Sequence, residues 1–252
     1  MTSRRAAELF HLVFLRALMA RIEDRSLVCL KGGCNLRFFF GSIRYSEDID
    51  LDVAVIAKGT LKKKVDGLLR APLVTAPLRA QGIEIVEVTA PKQTETTQRW
   101  KAGLRIEAIG ETVRTKIELS RRAGAMGEGT FEPVRSAVLS MYGLPPFLAT
   151  HYRAPEAIAQ KIRALGDRAQ PQARDVFDLS LLFAKASEVE LSALQKRWLP
   201  GAIERGMSIS FDEYRAQVVA FLEPEQAEPY ASREAWDLMQ ETVVGRLEAL
   251  SQ

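Results

Sequence analysis

The sequence predicts an α/β core over residues 1–125 followed by a helical domain over residues 150–252. Three observations carry this. A short apolar strand from Leu27 to Leu30 runs through Gly32-Gly33 into a helix, and a later strand opens with Asp48-Ile49-Asp50. Residues 104–109 and 113–119 read as a hairpin around Gly110-Glu111, whose second arm alternates Val113, Thr115, Ile117 and Leu119 with Arg114, Lys116 and Glu118. Past residue 152 every apolar pattern has a helical period.

With 252 residues, 47% of them hydrophobic, the chain can bury one large core or two small ones. No apolar run approaches the ~18 residues of a membrane span, because His11 and Arg16 interrupt the stretch Leu9 to Met19. That stretch also lacks a small-residue cleavage site, so no membrane association and a cytoplasmic location are expected. The net charge of +3 permits nucleic-acid binding without demanding it. Cys29 and Cys34 flank the glycine turn; with His11 and His151 the only histidines, zinc ligation has little to work with, and free thiols are expected.

In chain order, Ser3 caps a helix reaching about Ile22, with Phe10, Val13, Phe14, Ala17 and Leu18 on its apolar stripe. Lys58 to Arg70 reads as a helix carrying Lys62, Lys63 and Lys64; Pro72 and Pro77 then break the chain, and Ile83 to Val88 is a strand. A junction falls between residues 121 and 152. Beyond it, Pro155 opens a helix with Ile158, Ile162 and Leu165 on one face and Gly166 at its end. The next helix holds Val176, Leu179 and Phe183. Ser187 with Glu190 and Ser210 with Glu213 form capping-box patterns, and a last helix aligns Trp236, Met239, Val243 and Leu247.

The chemistry concentrates between Leu30 and Val55. Alternation along a strand points Asp48 and Asp50 the same way, with Cα atoms roughly 6.6 Å apart, and Asp52 shares their face. Two ionised carboxylates so placed are hard oxygen ligands for a divalent cation such as Mg²⁺. Gly32-Gly33 turns the chain tightly and leaves N–H groups free for an anion, so phosphate and metal are expected together. The turn lacks the GK[ST] ending of a P-loop, and no third glycine completes a Rossmann fingerprint.

The wording LKGGCNLRF, then RYSEDIDL, resembles the nucleotidyltransferase superfamily of DNA polymerase beta and, within it, the AbiEii-type toxins of bacterial toxin–antitoxin and phage-defence systems. KIRALGDR followed by ARDVFDL is similar to the second block of that family. The resemblance implies a polymerase-beta-like α/β core with a mixed sheet, and a helical C-terminal domain closing the nucleotide cleft. It implies Asp48, Asp50 and Glu118 as ligands of Mg²⁺, and Asp48, Asp50, Lys161 and Asp175 as catalytic residues. Gly32, Gly33, Arg44, Ser46, Lys161, Arg174 and Asp178 would contact the nucleotide, with Arg168 a further phosphate contact. Gly33 stands where many superfamily members carry serine, and Cys34 or backbone N–H groups would substitute. Taken alone, Arg174 and Asp178 would be a surface pair one helical turn apart.

The activity implied is transfer of NMP from an NTP to an RNA acceptor, with the 3′ end of tRNA leading, causing growth arrest countered by a cognate antitoxin. Lys62, Lys63, Lys64, Arg121 and Arg122 are the expected RNA contacts. A small-molecule acceptor of the antibiotic-modifying kind and a non-catalytic NTP-binding regulator are the alternatives. Labelled product without RNA would mark the first, and nucleotide binding without incorporation the second.

Overall fold

Helix α1 (Ser3–Arg21) is capped by the Thr2 hydroxyl, which accepts from Arg5 N, one residue before the Ser3 expected. Leu9, Phe10, Leu12, Phe14, Leu15 and Leu18 are all fully buried, so the helix is enclosed on nearly every side rather than along one stripe. This computed structural model describes residues 1–122, 127, 129–186 and 188–252. By contact the chain divides into one unit of Met1–Phe39 and Tyr45–Tyr152 and another of Phe40–Arg44 and Arg153–Gln252. Among the described residues no helix is long and apolar enough to cross a membrane.

Among the described residues the first unit is built on seven strands: β1 (Val28–Lys31), β2 (Asp48–Ala54), β3 (Ile83–Gln93), β4 (Thr97–Ile106), β5 (Glu111–Arg122), β6 (Gly129–Pro133) and β7 (Leu148–Tyr152). Their order is β3-β4-β5-β2-β1-β7-β6. β2 with β5 and β1 with β7 run parallel and the other neighbours antiparallel, which makes the sheet mixed. Helix α1 packs on this sheet and against α3 (Lys58–Arg70) and α4 (Pro72–Arg79). Short helices α2 (Gly32–Asn35) and α5 (Ser136–Ser140) complete the unit.

Three local readings change. Pro72 does mark a break, since α3 ends at Arg70 and α4 opens at Pro72, where the missing N–H would be unpaired in any case; Pro77 instead sits inside α4 and does not interrupt it. The hairpin arms extend well beyond 104–119, to Thr97 and Arg122. Strands β6 and β7 lie inside the stretch read only as a junction. Residue 125, the expected end of the core, and Ser187 of the expected Ser187–Glu190 cap lie outside the described residues.

The second unit consists of helices α6 (Ala154–Asp167), α7 (Ala173–Phe183), α8 (Ala193–Lys196), α9 (Leu199–Ser208), α10 (Phe211–Gln217) and α11 (Arg233–Ser251) with 3₁₀ turns between. Pro155 lies in the first turn of α6, and Ser210 with Glu213 caps α10 reciprocally. Gly166 is a packing glycine rather than a terminator: a Cβ there would lie 2.5 Å from Trp198 O, where α9 crosses α6. On α11, Trp236, Val243 and Leu247 are buried while Met239 is half-buried.

Candidate active site

Strand β1 ends at Lys31, and the chain turns at Gly32 with φ +69°, a conformation glycine adopts without a Cβ penalty. The missing Cβ also matters sterically, since one would stand 3.1 Å from Asp50 Oδ2. The turn is therefore moulded against that carboxylate. The helix after it is short, Gly32–Asn35 running on as a π-turn over Leu36–Phe40. Any anion here meets the N–H groups of the turn rather than the dipole of a long helix.

Register assembles the acidic cluster. In the parallel pairing of β2 with β5, Asp50 lies opposite Glu118 and Asp48 opposite Lys116, and side chains in register share a face. Lys116 Nζ pairs with Asp48 at 2.6 Å, and Arg99 holds Glu118 through bonds of 2.7 and 2.8 Å. The backbone of Asp50 is held in the sheet, but its carboxylate makes no hydrogen bond or ion pair among the described residues. Burial pushes its carboxyl up, Lys31 opposes that, and the negative charges of Asp48 and Glu118 push it higher still.

A divalent cation would relieve this repulsion, and Asp48 and Asp50 are the hard oxygen donors it prefers, so the pair fits Mg²⁺ chemically. Among the described residues no three acidic, cysteine or histidine side chains are clustered closely enough to enclose an ion, since Glu118 is turned to Arg99. Asp52, which shares the face of Asp48 and Asp50, accepts from Lys31 Nζ at 2.6 Å and from Tyr152 Oη at 2.8 Å. Lys31, which also donates to Ser120, lies opposite Asp50 in register and is a cation that sequence reasoning missed.

Behind the carboxylates lies a buried relay. His11 Nε2 is 2.7 Å from Thr115 Oγ1, which donates to Glu47 O at 2.7 Å; the imidazole must therefore donate, protonated on Nε2. Its Nδ1 faces Cys34 Sγ at 3.6 Å, and Cys34 donates to Asp48 O at 3.3 Å. Burial lowers His11 from 6.5 to about 3 and raises the Cys34 thiol well above its usual range. Cys34 is thus spent on the backbone and is not a phosphate ligand in place of serine. Ser46 likewise donates to Asp48 O at 2.8 Å, bracing the entrance to β2.

The second block forms its own cluster within the helical unit. Asp175, in the first turn of α7, and Asp178, one turn on, are both fully buried, so the reading of a surface salt bridge is corrected. Asp178 pairs with Lys161 at 2.6 Å and with Arg44 at 3.0 Å, not with Arg174 four residues earlier. Lys161 also meets Asp175 at 2.9 Å, and Arg168 reaches Asp175 at 2.7 Å. Arg44, expected at phosphate, is 5% exposed and tied into this chain of alternating charges. Burial would pull Lys161 down, but Asp175 and Asp178 outweigh it and hold the ammonium above its usual value.

Of the expected RNA contacts, Lys62 pairs with Asp66 at 2.5 Å, Lys64 donates to the carbonyl of Arg21, and Arg121 donates to Ile56 O at 2.6 Å. Lys63 is exposed, and the side chain of Arg122 lies outside the described residues.

A mixed sheet that presents adjacent carboxylates beside a glycine turn, joined in sequence to a helical unit, has the organisation of a nucleotidyltransferase. The model of the nucleotidyl transferase AbiEii toxin family, of type IV toxin–antitoxin systems, matches residues 13–249, and the chain belongs to that family. Among solved structures it is similar to JHP933 from Helicobacter pylori, with TM-score 0.61 and 20% identity over 100% of this chain and 96% of that one. It is also similar to the nucleotidyltransferase toxin MenT4 from Mycobacterium tuberculosis H37Rv, with TM-score 0.58 and 17% identity over 100% and 96%. These likenesses concern the fold. No curated protein matches the chain in sequence.

Proposed function

We propose that this nucleotidyltransferase moves NMP from an NTP to the 3′ hydroxyl of an RNA, with tRNA the leading acceptor, and that the outcome is growth arrest relieved by a cognate antitoxin. The observation that carries the reading is the register of β2 with β5, which sets Asp50 between Asp48 on its own strand and Glu118 opposite, against the Gly32 turn. The acceptor oxygen attacks the α-phosphorus, a new P–O bond forms, the bond to the β-phosphate bridge breaks, and pyrophosphate leaves while the hydroxyl proton passes to solvent.

Asp48 and Asp50 would hold Mg²⁺, which when bound supplies charge to orient the triphosphate and offset the negative charge of the transition state. The N–H groups at Gly32 and Gly33 would cradle phosphate oxygens, and Lys31 keeps positive potential under Asp50. Lys161 and Asp175 are proposed to serve nucleotide use from the helical unit.

The test is incubation with each α-labelled NTP, Mg²⁺ and total RNA, resolved on a gel. Wild type should label a discrete RNA band and arrest growth when expressed. Asp48→Ala and Asp50→Ala should each lose labelling by at least about a hundredfold while keeping the wild-type thermal transition, because each removes charge from the transition state. Label in a small molecule in the absence of RNA, or full activity in either folded variant, contradicts the reading.

A further inference from the structure

The polar sheet face continues past the carboxylates on the side away from the glycine turn. Register lines up Thr89, Lys101, Lys116 and Asp48 across β3, β4, β5 and β2. The next row is Glu87, Gly103 and Arg114. Together these residues line an open groove of about 380 Å³ with Asp48 at its end. Gly103 keeps the floor clear: a Cβ there would lie 3.3 Å from Glu87 Cβ and 3.4 Å from Thr112 Cγ2.

The charges in this groove are unusual for the protein. Lys116 is occupied with Asp48, and neighbouring Arg99 and Arg105 are paired with Glu118 and Glu84. The side chains of Lys101 and Arg114 are exposed and have no ion pair or hydrogen bond among the described residues. Lys101, Arg114 and Lys116 against Asp48 and Glu87 leave the groove with a net positive charge, and its two cations without an ion pair stand one to two strands from the carboxylates at roughly 4.8 Å per strand.

We infer that this groove is the acceptor subsite: it holds the single-stranded 3′ end of an RNA, with backbone phosphates on Lys101 and Arg114 and the terminal hydroxyl delivered to Asp48. The inference rests on the nucleotidyl-transfer reading above. Its geometry follows from the two sides of β2. The glycine turn beside Asp50 lies on the β1 side and suits the donor phosphates, whereas the groove opens on the β5 side and is left for the acceptor. The volume falls within the range of small-ligand sites, about 300–1,000 Å³, and takes an end rather than a duplex. Among the described residues no aromatic ring lines it, so bases find no stacking platform and recognition rests on phosphate. This replaces the lysine run of α3 as the RNA surface, since two of its three ammonium groups are engaged within the fold.

The test measures binding of a short fluorescent single-stranded RNA across a salt series, together with transfer to RNA and NTP-induced thermal shift. Lys101→Glu with Arg114→Glu should weaken RNA binding at low salt at least about tenfold and flatten the log–log salt slope by about 1.4, two phosphates at 0.7 each. NTP-induced shift should match wild type, and Lys63→Glu should bind RNA as wild type does. The bulk-preserving pair Lys101→Gln and Arg114→Gln, which keeps the test alive should the reversal disturb folding, should flatten the slope equally. Wild-type affinity and slope in the Gln pair, with RNA labelled normally, overturns the groove and leaves RNA transfer standing. Failure of the wild type itself to bind or label RNA overturns both.

Discussion

His11 shows how a single side chain can be tied into a site and yet be invisible in the sequence. Alternation along Asp48-Ile49-Asp50 announced a carboxylate pair, because a strand's period needs no partner to be read. A histidine in an apolar helix gives no such signal, since its meaning depends on Thr115, more than a hundred residues away, which it meets only after the sheet forms. The relay imposes a titration that can be measured. The folded imidazole sits at about 3 and the unfolded one at 6.5, so the unfolded chain takes up the extra proton between those values. Stability from this group is therefore whole above pH 6.5 and is lost as pH falls toward 3, at about 1.4 kcal/mol per unit. Gln at position 11 keeps an N–H for Thr115 and does not titrate. His11→Gln should lose less stability than wild type between pH 6.5 and 4.5, measured as the difference in urea midpoints; parallel losses in the two proteins would exclude His11 as the titrating group.

At the scale of elements, signals confined to one turn were legible and those requiring a distant neighbour were not. The Ser210–Glu213 box and the opening of α6 at Pro155 are local chemistry and were readable as written. Strands β6 and β7 were missed because each has five residues, the first largely exposed, and their pairing partners lie elsewhere. The pairing of α6 with α7 is half legible: residues three apart on a helix, as Asp175 and Asp178 are, share a face, but nothing local says that the face is buried. Their burial changes what Lys161 means. Removing its ammonium would strand Asp175 and Asp178, leaving each with only one arginine. Lys161→Ala should therefore cost about 3–5 kcal/mol of stability, the usual consequence of uncovering a buried charge. Burial would raise Asp178, but Arg44 and Lys161 hold it below its usual value, so its contribution is present above pH ~4 and lost as pH falls through the lowered value. Denaturant unfolding measures the loss, and transfer per folded molecule separates function from folding. Full specific activity in the folded fraction would make Lys161 purely structural.

For the whole molecule, the informative fact is that the helical unit is not continuous in sequence. Its boundary at Arg153 falls next to the junction region, but residues 40–44 belong with it as well, so the chain passes between units at three points. No composition shift marks the short segment, which is why a reading by stretches assigns it to the core. Yet it is chemically tied in: Arg44 neutralises Asp178, forms a bridge with Leu222, and is preceded by Ile43, whose carbonyl accepts from Glu223 N. A fragment of residues 153–252 would contain every helix of the unit and lack this insert. Asp178 would keep Lys161 alone in a fully buried position, and the backbone of residues 222 and 223 would lose both partners. Leaving buried polar groups unmatched costs about 1–3 kcal/mol each, and more for a charge, against a total stability of about 5–15 kcal/mol. The fragment should consequently show reduced helicity and no sharp thermal transition by circular dichroism, although its helices are locally well capped. A cooperative melt in the isolated fragment at the intact chain's midpoint would show that residues 40–44 contribute nothing to the helical unit, and that the Arg44–Asp178 pair is dispensable to its fold.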